Sequence, residues 1–208
     1  MVDPGQRARI LHALANHELQ AVELFSWGIL AFPNTPQDFR WELFRLIEDE
    51  QRHCRMYMAR LKAWKAALGD YAVSGYFWSK VKDFTTPLRF VCGMALTFEN
   101  ANLDHAEDYA EAARNAGDRE TAVLLEKVHE DEVEHVRFGW RWLKEWKAPG
   151  QSMSEAYSAN VTWPLRPALA RGKVFHRQGR EAAGLDPEFI RLLAEAERDV
   201  LPPKTRRS

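Results

Sequence analysis

One acidic hexapeptide occurs twice in this chain of 208 residues: Glu48-Asp49-Glu50-x-x-His53 and, 82 positions later, Glu130-Asp131-Glu132-x-x-His135. On a helix, residues three apart share a face, so each copy presents a carboxylate and an imidazole side by side. The flanking residues say which face that is. Leu43, Leu46, Ile47, Cys54, Tyr57 and Leu61 lie on the face of Glu50, and Leu125, Val128, Val136, Gly139 and Leu143 on that of Glu132. Such apolar stripes predict that both Glu-x-x-His pairs point into the protein interior. Ionised carboxylates are nearly absent from cores unless they are paired or bound to metal. The chain must therefore fold so that two inward-facing acid–imidazole pairs meet, and such pairs supply oxygen and nitrogen ligands to divalent cations.

The rest of the pattern is all-α. Helical periodicity runs over residues 4–32, 36–68, 87–115 and 118–147, and strand-like alternation is missing. Start signals open each segment: Asp3-Pro4, Thr35-Pro36, Thr86-Pro87 and Gly117-Asp118. The short connections within the first pair and within the second predict two antiparallel hairpins. The longer stretch GDYAVSGYFWSKVKDFTT between them suits a crossover along a four-helix bundle. Residues 1–149 then form the bundle. Residues 150–208 form a short helical C-terminal appendage packed on it, with a capping box at Ser152-x-x-Glu155 and a further helix near 187–199 after Asp186-Pro187. The terminal PPKTRRS is expected to fray.

A two-metal site also needs a carboxylate from each remaining helix. Glu18, with Leu11, Leu14, Val22 and Phe25 on its face, precedes Glu50 by 32 residues; Glu99, with Cys92, Ala95, Leu96, Leu103 and Ala106, precedes Glu132 by 33. Glu23 and Glu107 are the rival positions, on more polar faces. Tyr57 and His129 sit one turn from the repeated motifs, and core packing is the simplest role for the first and a surface or core position for the second.

Glu18, then Glu50 and His53, then Glu99, then Glu132 and His135, one set per helix, resembles the ferritin-like di-iron carboxylate superfamily over about the first 147 residues. The stretches HELQAVEL and FHRQGREAAGL are similar to a bacterial branch of it known as a ferritin-like domain of unknown function. A related branch hydroxylates a modified tRNA base. The resemblance implies a ferritin-like bundle holding two iron ions, with Mn/Fe or Mn pairs also suited to carboxylate and imidazole ligands. It implies further that Asp131 holds His53 and Asp49 holds His135 from the opposite helix. The activity expected from it is that of an O2-activating di-iron oxygenase or hydroxylase acting on a small organic substrate, with O2 and an electron donor as partners, in a monomer or homodimer. Two other readings stay open: a ferroxidase or iron-handling protein, and a non-catalytic metal-stabilised binding module. Where the superfamily's multicomponent monooxygenases carry a threonine one turn after the helix 3 Glu, this chain has Leu103, which departs from that style of oxygen activation.

Bulk properties exclude other classes. A net charge of -1 gives no general affinity for nucleic acid or membranes. The basic stretch Arg166, Arg171, Lys173, Arg177 and Arg180 keeps an RNA substrate open by analogy alone. Two cysteines, Cys54 and Cys92, make no disulfide framework, and the first ten residues lack the apolar run of a secretory signal, so a cytoplasmic location is expected.

Overall fold

The computed structural model describes residues 3–197, the side chain of Pro4 apart; the helix expected near 187–199 stops at Glu195, and the expected fraying of the last residues lies outside the described residues. Every regular element among the described residues is helical. Helix α1 spans Pro4–Ala31, and Asp3 accepts the Gln6 N–H at its start. Helix α2 spans Gln37–Ala63. The Thr35 hydroxyl does not cap it but donates to the Phe32 carbonyl, 2.8 Å away. The helix stops short of the expected residue 68 because Lys65 takes the left-handed conformation, with φ 54°. Its N–H donates to Lys62 and that of Ala66 to Leu61, the paired bonds of a Schellman stop. A lysine at the position that favours glycine carries no stop signal in the sequence.

The third rod is not one uniform helix. It comprises α3 (Pro87–Gly93), a π-helical segment (Met94–Glu99) and α4 (Asn100–Asn115). The Thr97 hydroxyl donates to the Cys92 carbonyl five residues back, at 2.7 Å, and helps accommodate the wide turn. Gly139 of α5 (Arg119–Trp146) makes room for it: a Cβ there would stand 2.6 Å from that of Ala95. Between α4 and α5 the stop is legible in the sequence, with Gly117 at φ 75° and Asp118 capping Thr121.

Helices α1 and α2 pack together along their length, as do α4 and α5. Arg60, near the end of α2, grips Asp118, Glu120 and Thr121 at the start of α5, while Glu42 near the start of α2 receives Trp142 and Arg141 near the end of α5. The two helices therefore run antiparallel. The connection after α2 contains a 3-10 turn (Trp78–Asp83) and is tied to α1 through Asn16 to Ser74 and Trp78 to Glu23.

Beyond α5 lie α6 (Met153–Asn160), opened by the Ser152–Glu155 capping box, α7 (Arg177–Ala182) and α8 (Pro187–Glu195), capped by Asp186. Tyr157, Leu165, Phe189 and Leu193 share one hydrophobic core with Leu96, Leu103 and Val136. Arg180 is not part of a basic surface: it is fully buried, bonded to both Asp104 oxygens at 2.6 and 2.9 Å and to the carbonyls of Asn100, Ala170 and His176. Asp104 also accepts the N–H groups of Gly172 and His176, so one carboxylate of α4 gathers the C-terminal segment. Cutting such a pair leaves a charge buried without its partner. Arg180→Ala is expected to lower unfolding free energy by about 3–5 kcal/mol in urea titration. Arg180→Lys should recover little of it, because an ammonium cannot make the bidentate contact. A loss below about 1 kcal/mol would remove this pair from its anchoring role.

Candidate metal centre

The apolar interior is interrupted. One cluster surrounds Leu24, Phe39, Phe90 and Leu143, another surrounds Leu11, Leu61 and Leu125, and a polar layer lies between them. Its members are Glu18, Glu50, His53, Glu99, Glu132 and His135, none more than 5% exposed. They come from α1, α2, the π segment and α5, so the structure brings together one contribution from each long rod.

Their donor atoms form two groups that share members. Glu18, Glu50, His53 and Glu132 each place one ligand atom within 4.8 Å of all the others, and so do Glu50, Glu99, Glu132 and His135. Glu50 and Glu132 belong to both, which is how two carboxylates would bridge a pair of cations. Glu18 and His53 complete one position, and Glu99 and His135 the other. Both rings turn Nδ1 inward: His135 Nδ1 stands 3.0 Å from Glu50 and 3.1 Å from Glu132, and His53 Nδ1 3.5 Å from Glu50. Yet both Nδ1 atoms, both Glu50 oxygens and Glu132 Oε2 lack a properly aligned hydrogen bond. Buried polar atoms normally find partners. Several converging on one point without them fit a cation, and buried Glu/His groups of this kind could hold metal ions.

Both Nε2 atoms face outward to acids on the opposite helix. His53 Nε2 lies 3.1 Å from Asp131, and His135 Nε2 lies 3.5 Å from Asp49. An imidazole ligand whose second nitrogen meets a carboxylate is held in one tautomer and made a stronger donor. Arg52 joins the two acids, at 2.6 Å from Asp49 and 2.8 Å from Asp131, and Lys127 reaches Asp131 at 3.0 Å. Local spacing gives Arg52 no role; its position between the two Asp residues depends on the packing of α2 against α5. Asn102 was missed as well. It donates to Glu132 Oε1 at 2.7 Å, and its place one turn after Glu99 was the available clue.

The rival carboxylates are engaged elsewhere. Glu23 accepts from Trp78 Nε1, and Glu107 lies 3.2 Å from His176 and 3.9 Å from His129. Tyr57 is buried below the layer, its phenol pushed up first by burial and then by the charges of Glu18, Glu132 and Glu50. Between α1 and the third rod a cavity of about 420 Å³ reaches Glu18 and Glu99.

Electrostatics without a cation strain this arrangement. Burial first, and then neighbouring carboxylates, raise Glu18 and Glu99 well above the ordinary range. For His53 burial is the largest influence and pulls downward, but Asp131, Glu50 and Glu132 outweigh it and lift the ring to about 9. His135 is raised by the same balance, with Glu132 and Glu50 overcoming burial. Glu50 is held below its usual range, its burial outweighed by the charge of His135. The metal-free cluster thus keeps protons where cations would sit.

A raised folded-state pKa stabilises fully below the unfolded value and loses that contribution as pH climbs through the folded one. The metal-free protein should therefore lose thermal stability between pH 6.5 and 9 as His53 gives up its proton. Saturation with Mn(II) or Fe(II) under nitrogen should flatten the slope, since metal binding displaces those protons. A Tm that rises over this interval without metal would contradict the protonated cluster. Asp131→Asn should weaken metal affinity about 10–100-fold by competition with a chelator while the fold is retained by circular dichroism. Unchanged affinity would separate Asp131 from the centre.

No curated protein and no solved structure matches the chain. The family model described as "Protein of unknown function (DUF455)" matches residues 1–191. By that match over nearly its whole length, the chain belongs to the DUF455 family.

Proposed function

We propose that this protein is a metal-dependent oxidoreductase with a ferritin-like bundle, an O2-activating di-iron oxygenase or hydroxylase of a small organic substrate. The observation that carries the reading is the pair of overlapping ligand groups, joined through Glu50 and Glu132, with Glu18 and Glu99 opening onto a cavity. Two antiparallel hairpins, one long crossover and the ligand order Glu, Glu-x-x-His, Glu, Glu-x-x-His support the superfamily resemblance. Four carboxylates and two imidazoles are a hard, mixed donor set that suits iron or manganese.

When bound, a ferrous pair supplies O2 chemistry: RH, O2, two electrons and two protons become ROH and water, with the electrons returned by an external donor. The chain's own residues prepare that site. Glu50 and Glu132 would hold both ions at once. His53 and His135 approach from the sealed side, oriented by Asp131 and Asp49, and Glu18 and Glu99 occupy the side that reaches the cavity. The apolar clusters above and below close the layer at its two ends, which leaves the cavity at Glu18 and Glu99 as its approach.

Anaerobic titration with Fe(II) should saturate at two ions per chain, and admission of O2 should then be consumed in proportion to bound iron. Glu50→Ala and Glu132→Ala should each abolish stoichiometric loading, because each removes a ligand from both positions. Two ions bound with no O2 uptake would leave a non-catalytic metal site. Continued oxidation of many irons per chain, in a large hollow assembly, would favour iron handling over oxygenation.

A further inference from the structure

The cavity beside Glu18 and Glu99 has a chemical character of its own. Tyr76, Phe77 and Phe98 form one aromatic wall, with Phe77 and Phe98 centroids 4.6 Å apart and Tyr76 5.8 and 6.1 Å from them. Two of these rings come from the crossover and the third from the π segment, so the wall exists only because the crossover lies over the gap between α1 and α4. Asn102 and His105 add polar groups to the lining, and Leu169 arrives from the C-terminal segment. A second depression of about 270 Å³ shares His17, Asn102 and His105 and continues between α1 and α4 past Tyr109. The cavity therefore has a polar neck, an aromatic side and a carboxylate end.

Charge narrows what fits. Among the described residues lining the cavity there is no Lys or Arg. The carboxyl groups of Glu18 and Glu99 form its inner end, and four carboxylates with two divalent ions leave no net positive charge to attract an anion. Beside the rings and the inner carboxyl groups a nucleotide or fatty acid headgroup meets no Lys or Arg; Arg9 lines only the outer depression. A volume of about 420 Å³ lies within the span of small-molecule sites, which are mostly apolar with a few placed polar groups. Phe77 and Phe98 are tilted 34° to one another and Tyr76 meets both edge-on, so the wall offers a flat π system ring faces and ring edges to pack against.

We propose that this cavity binds an uncharged planar aromatic molecule, stacked on Phe77 and Phe98 and oriented by hydrogen bonds from Asn102 and His105, with one ring edge directed at Glu18 and Glu99. This rests on the oxygenase reading and assigns its substrate class. Asn102 also donates to the shared carboxylate Glu132, so the residue that meets the ligand touches the centre as well.

The test uses indole as the neutral planar probe, indole-3-acetate as its anionic counterpart and octan-1-ol as a neutral chain. Titration into metal-free, isotope-labelled full-length protein should show indole shifting the amide signals of Phe77 and Phe98, about tenfold more tightly than either of the other two. Phe77→Leu and Phe98→Leu, which keep apolar volume and remove the ring from half-buried positions, should each weaken indole about tenfold. In Co(II)-loaded protein, indole should perturb the visible metal bands. Preference for indole-3-acetate or octan-1-ol, equal binding by both leucine variants, or no indole binding overturns the proposal. If Co(II) loads two per chain and indole fails to bind, the metal reading stands and this one falls. If indole binds as expected and Co(II) does not load, the cavity is as proposed and the metal reading falls.

Discussion

Four carboxylates and two imidazoles lie in a buried layer across the middle of the molecule, and most of the remaining structure answers to them. Removing a charge from water costs several kcal/mol even after relaxation, and like charges in contact add to that. Here two shared carboxylates, two terminal ones and two imidazoles are packed between apolar clusters made of Leu24 and Phe39 on one side and Leu11 and Leu61 on the other. Protons relieve the layer in part, which is why Glu18, Glu99 and both histidines are pushed up from their ordinary values. Cations relieve it better, because each can satisfy several oxygens and a nitrogen at once.

Rigid rods make such a layer attainable. A Glu-x-x-His pair needs no loop to bring its two groups together, and antiparallel packing of α2 and α5 sets one pair against the other. The same packing carries Asp49 to His135 and Asp131 to His53, and leaves Arg52 between the two acids. The π segment lies where the third rod's carboxylate, Glu99, must enter. Its width is accommodated by Thr97 bonding back to Cys92 and by Gly139 opposite.

Closure of the site is asymmetric. On the side of the histidines, α2 and α5 seal the layer with acids and Arg52. On the side of Glu18 and Glu99, α1 and α4 stand apart, and the crossover lays Tyr76 and Phe77 over the gap. The C-terminal segment, gathered by Asp104 and Arg180, supplies Leu169 to the same wall. Residues that look like linker and appendage in the chain thus shape the approach to the centre.

The sequence by itself determined the helical class, the antiparallel hairpins and the inward direction of Glu50, His53, Glu132 and His135, because helical spacing and apolar flanks are local properties. It also carried the stops that use glycine or an acid cap, at Gly117 and Asp118, but not the one at Lys65, where backbone bonds to Leu61 and Lys62 close the helix around a lysine in the left-handed region. The polarity of each helical face already favoured Glu18 over Glu23 and Glu99 over Glu107, whereas the partners that engage the rivals, Trp78 for Glu23 and His176 for Glu107, come from other elements. Only the tertiary structure decided that Arg180 is buried rather than exposed, that Arg52 and Asn102 attend the site, and that a π turn interrupts the third rod. Each of these depends on atoms far apart in the chain, and local periodicity holds no record of such contacts.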